Sequence, residues 1–149
     1  MEPPIINERV LALLSFKGKE YTASISPFMN WLRPTVLSAE PGALAFSYIV
    51  RKEMTNPAGT LHGGVTAGIM DDLIGATVYS LNLRDPYTTI NNAIDYFATA
   101  KEGDLIIART AIVKRGRTII NLQCELTLSA KERLIAKGYS NVLKINSHS

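Results

Sequence analysis

Apolar positions along the chain follow two periods, and the change between them marks out the elements. Ile6, Val10, Leu13 and Leu14 recur at helical spacing behind Asn7 in a capping position, which predicts a short amphipathic helix over residues 6–15, packed outside the main core. A mixed stretch from Trp31 to Ala39 leads through the turn Glu40-Pro41-Gly42 into Ala43 to Arg51, where Leu44, Phe46, Tyr48 and Val50 alternate, so this part reads as a hairpin. Val65 to Leu81 is apolar over the length of a helix, with Asp71 and Asp72 inside it. Four further strands are predicted over 88–97, 105–114, 118–129 and 134–143. Their turns fall at Arg84-Asp85-Pro86, Lys101-Glu102-Gly103-Asp104, Arg115-Gly116 and Ala130 to Arg133.

The order is therefore a short helix, two strands, one long helix and four strands, an α+β chain in which one helix must serve one antiparallel sheet. Around the helical wheel Thr66, Ile69, Met70, Leu73, Ile74, Thr77 and their neighbours cover more than half the circumference, which describes a helix wrapped by a sheet. The remaining strip carries Gly64, Gly68, Asp71, Asp72, Gly75 and Tyr79. Small residues there let another backbone approach, with a second subunit as the expected occupant.

Composition narrows the picture without redirecting it. A chain of 149 residues, 46% hydrophobic, is long enough for one domain with a substantial core, expected over 1–149, with residues 1–20 as a helical extension and 146–149 as a frayed tail. The formal charge is +3, but the 16 basic residues are spread along the chain, so nucleic acid is not implied and a polyanionic small molecule suits the balance equally well. The single Cys124 excludes an internal disulfide and a cysteine metal cluster, and its alternating apolar neighbours make it a buried, inert thiol. Met1-Glu2-Pro3-Pro4 does not resemble a secretion leader, and the paired aspartates and glycines argue that the long helix is buried in protein, not lipid. A cytoplasmic protein without membrane insertion is the expectation.

Chemistry concentrates in Asn56-Pro57-Ala58-Gly59-Thr60-Leu61-His62-Gly63-Gly64 and the helix that follows. A glycine turn, an amide, an imidazole, a helix start and a carboxylate two turns on could hold a carbonyl group and the water that attacks it. These residues resemble the hotdog-fold acyl-coenzyme A thioesterases of the phenylacetate-degradation (PaaI-like) type, in the segment Asn56-x-x-Gly59-x-x-His62-Gly63-Gly64 with Asp71 on the next helix. Further landmarks occur in the right order over about residues 36–143: Ser38-Ala39-Glu40-Pro41-Gly42, Tyr96-x-x-x-Ala100-x-x-Gly103-Asp104 and Lys114-Arg115-Gly116-Arg117.

The resemblance implies the hotdog fold, a long central helix wrapped by five or six antiparallel strands, paired into homodimers with active sites at the interface and usually joined as homotetramers. It implies hydrolysis of an acyl-coenzyme A thioester to free acid and coenzyme A, with no metal or redox cofactor. The Gly63 amide would polarise the carbonyl, a donor typically worth about 3 kcal/mol. Asp71 would come from the other subunit as general base or nucleophile, because two turns along one helix is too far to reach the same carbonyl. Asn56 would hold the thioester or water, and Thr89 would orient the water, with Thr88 able to serve instead. His62 would brace the loop or touch the thioester. Gly64 and the hairpin residues Lys114, Arg115, Gly116 and Arg117 would bind substrate, the basic ones clamping coenzyme A phosphates. Asp72 could tune its neighbour, and Phe28, Met29 and Trp31 could line an acyl tunnel. The competing readings are a non-catalytic acyl-coenzyme A binding hotdog protein and a hydratase or dehydratase acting on acyl thioesters.

Overall fold

The computed structural model describes residues 2, 3 and 5–146, so the end of the expected tail, 147–149, lies outside the described residues. Among the described residues three α-helices, α1 (Glu8–Leu14), α2 (Pro27–Leu32) and α3 (Gly63–Tyr79), accompany six strands: β1 (Thr35–Glu40), β2 (Ala43–Ile49), β3 (Tyr87–Tyr96), β4 (Leu105–Arg115), β5 (Ile119–Leu128) and β6 (Arg133–Lys144). The strands form one sheet in the order β1-β2-β4-β5-β6-β3, every pair antiparallel. After α3 the chain therefore lays β3 at the far edge, against β6, and returns across the sheet to set β4 beside β2.

The long helix is held by its surroundings more than by its own sequence. Gly68 and Gly75 inside α3 each cost about 1 kcal/mol of helix propensity. Against that, Ile69, Leu73 and Ile74 are fully buried, and each such side chain contributes about 1.5–3 kcal/mol. They face the inward residues of the sheet, among them Phe46, Ile106, Ile120, Leu122 and Leu126, and α3 touches every strand from β2 to β6. Cys124 is part of this core, where burial pushes its thiol up to about 12.

Three expectations need correction. First, α1 is not outside the core, because Val10 and Leu13 are buried in it. It also closes the C-terminal end of α3: Asn7 caps α1 through the Arg9 and Val10 amides and donates its own amide to the Ser80 carbonyl at 2.8 Å, while Arg9 donates to the Tyr79 carbonyl at 3.2 Å. Second, the hairpin begins only at Thr35, and Trp31 and Leu32 at the start of the mixed stretch belong to a helix. Residues 27–32 form the helix α2, capped by Ser26 with Pro27 in its first turn, too short to show a period. Third, the small-residue strip of α3 is not left entirely to a second subunit. The Phe28 ring lies so close to Gly68 that a Cβ there would stand 2.6 Å from it, and Ser26 bonds Asp72, so α2 covers that half of the strip. Asp71, Gly75 and Tyr79 stay exposed.

Because Asn7 serves the ends of two helices, Asn7→Ala is expected to lower stability by about 1–2 kcal/mol in chemical denaturation.

Candidate active site

The loop before α3 is a closed unit. Its ends are joined by His62 N–H to the Met54 carbonyl at 2.9 Å, and Leu61 N–H ties it to the Ala100 carbonyl at 2.8 Å. Inside it the Asn56 Oδ1 accepts from the Ala58 amide (3.0 Å), the Thr60 amide (3.1 Å) and the Thr60 hydroxyl, while its Nδ2 donates to Thr60 Oγ1 at 2.9 Å. Asn56 is thus first a loop clamp, an Asx turn completed by Gly59 at φ +78°. One amide N–H of Asn56 remains without an acceptor among the described residues.

A helix start leaves four backbone donors to be satisfied. Here the His62 amide is taken by Met54, the Gly64 amide donates to His62 Nδ1 at 2.8 Å, and the Val65 amide donates to the His62 carbonyl at 3.0 Å. The Gly63 amide alone of the four has no acceptor among the described residues. His62 is therefore the N-cap of α3, with Nδ1 of its ring as the accepting atom. Tyr96, outside the residues singled out for chemistry, donates its hydroxyl to the Gly63 carbonyl at 2.9 Å and fastens the first turn of α3 to β3. The open amide lies at the positive end of a 17-residue helix and suits an oxygen bearing negative charge.

Asp71 stands on the open face of α3 and reaches across to β3. Its Oδ1 accepts from Thr89 Oγ1 at 2.9 Å and from Asn92 Nδ2 at 3.1 Å, and its Oδ2 has no partner among the described residues. Thr89, not the exposed Thr88, is the hydroxyl at this carboxylate. Gly63 and Asp71 are eight residues apart in sequence, about 12 Å along the helix axis, so one chain does not bring them to a common atom.

A cleft of about 450 Å³ opens beside Asp71, walled by Leu13, Tyr21, Ile25, Met29, Ala76 and Tyr79, with Asp72 and Ser26 as polar lining. Met29 takes part in it. Phe28 and Trp31 do not: they stack on each other at 6.0 Å, with Arg51 over the Trp31 ring. The hairpin carrying Lys114, Arg115, Gly116 and Arg117 lies toward the C-terminal end of α3, where Ile112 and Leu81 meet over Gly42, so it is distant from Gly63 of the same chain. Its basic side chains are exposed. A Cβ on Gly116 would stand 2.7 Å from the Ile119 carbonyl oxygen, so the glycine is required by the turn itself. Among the described residues no three His, Cys, Asp or Glu side chains group as a metal site.

Asp72 differs from its neighbour. Its Oδ1 accepts from Ser26 Oγ at 3.2 Å, while Oδ2 is buried without a partner among the described residues, as is the Tyr48 hydroxyl on β2. Burial pushes the Asp72 carboxyl up to about 6, the Ser26 bond opposes this, and the charge of Asp71 adds to it. Burial first, and then the charge of Asp72, raises the Tyr48 phenol well above its usual range. A carboxyl that holds its proton more tightly folded than unfolded favours the fold most below its unfolded value, and that contribution is lost as pH rises through about 6. Asp72→Asn is therefore expected to stabilise the protein by about 1–2 kcal/mol at about pH 7.5, less than for a wholly buried carboxylate, and to lose that advantage below about pH 4. Denaturation midpoints at the two pH values check it.

Comparison with known proteins identifies the family and the fold. The thioesterase superfamily profile matches residues 58–134, from the loop through the start of β6. Human acyl-coenzyme A thioesterase 13 is 34% identical over 104 residues, 70% of this chain and 74% of that protein. The crystal structure of zebra fish thioesterase superfamily member 2 superposes with a TM-score of 0.76 at 26% identity, covering 97% of this chain and all of that one. The E. coli PaaI protein from the phenylacetic acid degradation operon, at 14% identity, shares the fold with a TM-score of 0.81 over 95% of this chain and 97% of its own. A long helix wrapped by six antiparallel strands, the free amide at that helix's start and the sequence match over its flanks together establish that the chain belongs to the thioesterase superfamily, with the hotdog fold of the PaaI-type acyl-coenzyme A thioesterases.

Proposed function

We propose that this protein hydrolyses acyl-coenzyme A thioesters, in a homodimer whose two sites each combine Gly63 of one chain with Asp71 of the other. The observation that carries this reading is the pairing of two unmet groups on one helix, the Gly63 amide and the Asp71 Oδ2, too far apart to act together within a chain. Two antiparallel copies of α3 would set the amide of each opposite the carboxylate of the other. The outer edge of β3 supports that assembly, because the strand bonds only β6 and carries exposed Ile90 and Tyr96, with Phe97 just beyond it, the kind of edge that a second copy covers. Pairing of two such dimers into a homotetramer belongs to the same reading.

The thioester carbonyl would accept from the Gly63 N–H, which strengthens as the oxygen becomes an oxyanion. Asp71 Oδ2 would either take the proton of the attacking water or attack directly, forming an anhydride that water opens, and coenzyme A would leave as its thiol. Thr89 would orient the water, the spare N–H of Asn56 would hold the thioester or water, and His62 with Gly64 would keep the amide in place. The acyl group would lie in the cleft beside Asp71. In an antiparallel pair the basic hairpin of one chain would come toward the Gly63 end of the other, where Lys114, Arg115 and Arg117 could meet the coenzyme A phosphates. The reaction as drawn uses no metal or redox cofactor, and one domain per chain suffices. Among the described residues no helix is long and apolar enough to cross a membrane. A cytoplasmic location fits the free, buried Cys124.

Thiol release from a panel of aryl and aliphatic acyl-coenzyme A esters tests the proposal and separates it from mere binding or hydration. Asp71→Asn should lower kcat by about 10²–10⁴ with the oligomer intact in size-exclusion chromatography. Near-normal turnover in that variant would overturn the assignment.

A further inference from the structure

The β3 strand contains an irregularity that bears directly on the carboxylate. Thr89 pairs with Val142 but Asn91 pairs with Asn141, so one residue, Ile90, is inserted as a bulge. In an unbroken strand Thr89 and Asn91 would share a face and Asn92 would point away. With the extra residue the parity shifts. Asn91 turns to the face away from α3, where its Oδ1 accepts from Asn141 Nδ2 at 2.7 Å, and Asn92, still exposed, turns to the face that carries Ile94 and Tyr96. Thr89 and Asn92 thereby arrive on the same face as α3, and both donate to the same oxygen, Asp71 Oδ1.

We infer that Asn92 is a positioning residue for Asp71, delivered by the bulge at Ile90, and that its bond together with that of Thr89 selects Oδ2 as the reacting oxygen. The inference rests on the catalytic role proposed for Asp71. A single donor would fix the carboxylate at one point and leave it free to turn about that bond. Two donors from one strand, converging on one oxygen, hold both the side-chain torsion and the plane of the group, so the other oxygen keeps one direction and a free lone pair. The ionisable groups near Asp71 are Asp72 beside it on α3, Tyr21 and Tyr79 across the cleft, and Arg9, Asp85 and Tyr87 in the adjoining groove. Neither donor from β3 is ionisable, so the clamp itself does not titrate.

The test is a rate profile against pH for Asn92→Ala, Asn92→Asp and Asn92→Gln, beside Asp71→Asn. Loss of one charge-assisted bond should lower kcat of Asn92→Ala about tenfold, with KM within about twofold of wild type. Its acid limb should move to higher pH, since a carboxylate that loses a donor binds its proton more tightly. Asn92→Asp, which keeps the shape of the side chain and so carries the test if the alanine variant fails to assemble, should move the limb further. Asn92→Gln retains a donor and should stay within about threefold of wild type. Wild-type kcat and an unmoved acid limb in Asn92→Ala and Asn92→Asp would overturn the inference, as would equal loss in all three variants with the limb unmoved. If Asp71→Asn itself remains active, the underlying reading fails; if it is inactive while Asn92→Ala is normal, only the role of Asn92 fails.

Discussion

A helix fixes the separation of the residues it carries, and nearly everything about this site follows from that rigidity. α3 is pressed into the sheet by Ile69, Leu73 and Ile74 and tied at its far end by Asn7 and Arg9, so it can neither bend nor slide to bring its first turn to its third. The Gly63 amide and Asp71 stay about 12 Å apart. The helix therefore presents two half-sites, each finished locally: the first by His62, Tyr96 and Asn56, which take the Gly64 amide, the Gly63 carbonyl and the loop amides, the second by Thr89 and Asn92, which take one oxygen of the carboxylate.

Much of this was legible in the sequence wherever a period ran long enough. α3 and the four strands after it appear within a few residues of their expected limits, because a wrapped helix and half-buried strands carry strong apolar repeats. The loop segment was legible through its glycines and Asn56, and Thr89 only through the family resemblance, counted back from Ala93-Ile94-Asp95-Tyr96. What stayed hidden was short or non-local. α2 has six residues, and only Ser26-Pro27 signalled its start. Nothing local says that β3 crosses to β6, which is a matter of sheet order.

Asn92 shows most clearly how a site residue escapes a sequence pattern. Alternation from Thr89 sets it on the wrong face, and no glycine or proline marks the bulge that reverses it. Asn56 errs in the other direction: its amide suggests contact with substrate, yet three donors to its Oδ1 give it first a structural task. Asp72 is similar, for the adjacency of two carboxylates suggests mutual tuning, whereas burial beneath α2 is the larger cause of its raised proton affinity.

The central claim is that each site spans two chains, and subunit complementation tests it most directly. Gly63→Pro removes the open N–H at the first helical position, where proline fits, and His62 before it already has the extended ψ of 133° that proline requires. Gly63→Pro and Asp71→Asn should each be inactive alone. When the two are unfolded together, mixed and refolded, half of the dimers pair one variant with the other and regain one intact site, so about a quarter of wild-type thiol release should return. Mixtures that remain as inactive as their parents, with mixed dimers shown to have formed, would contradict the account.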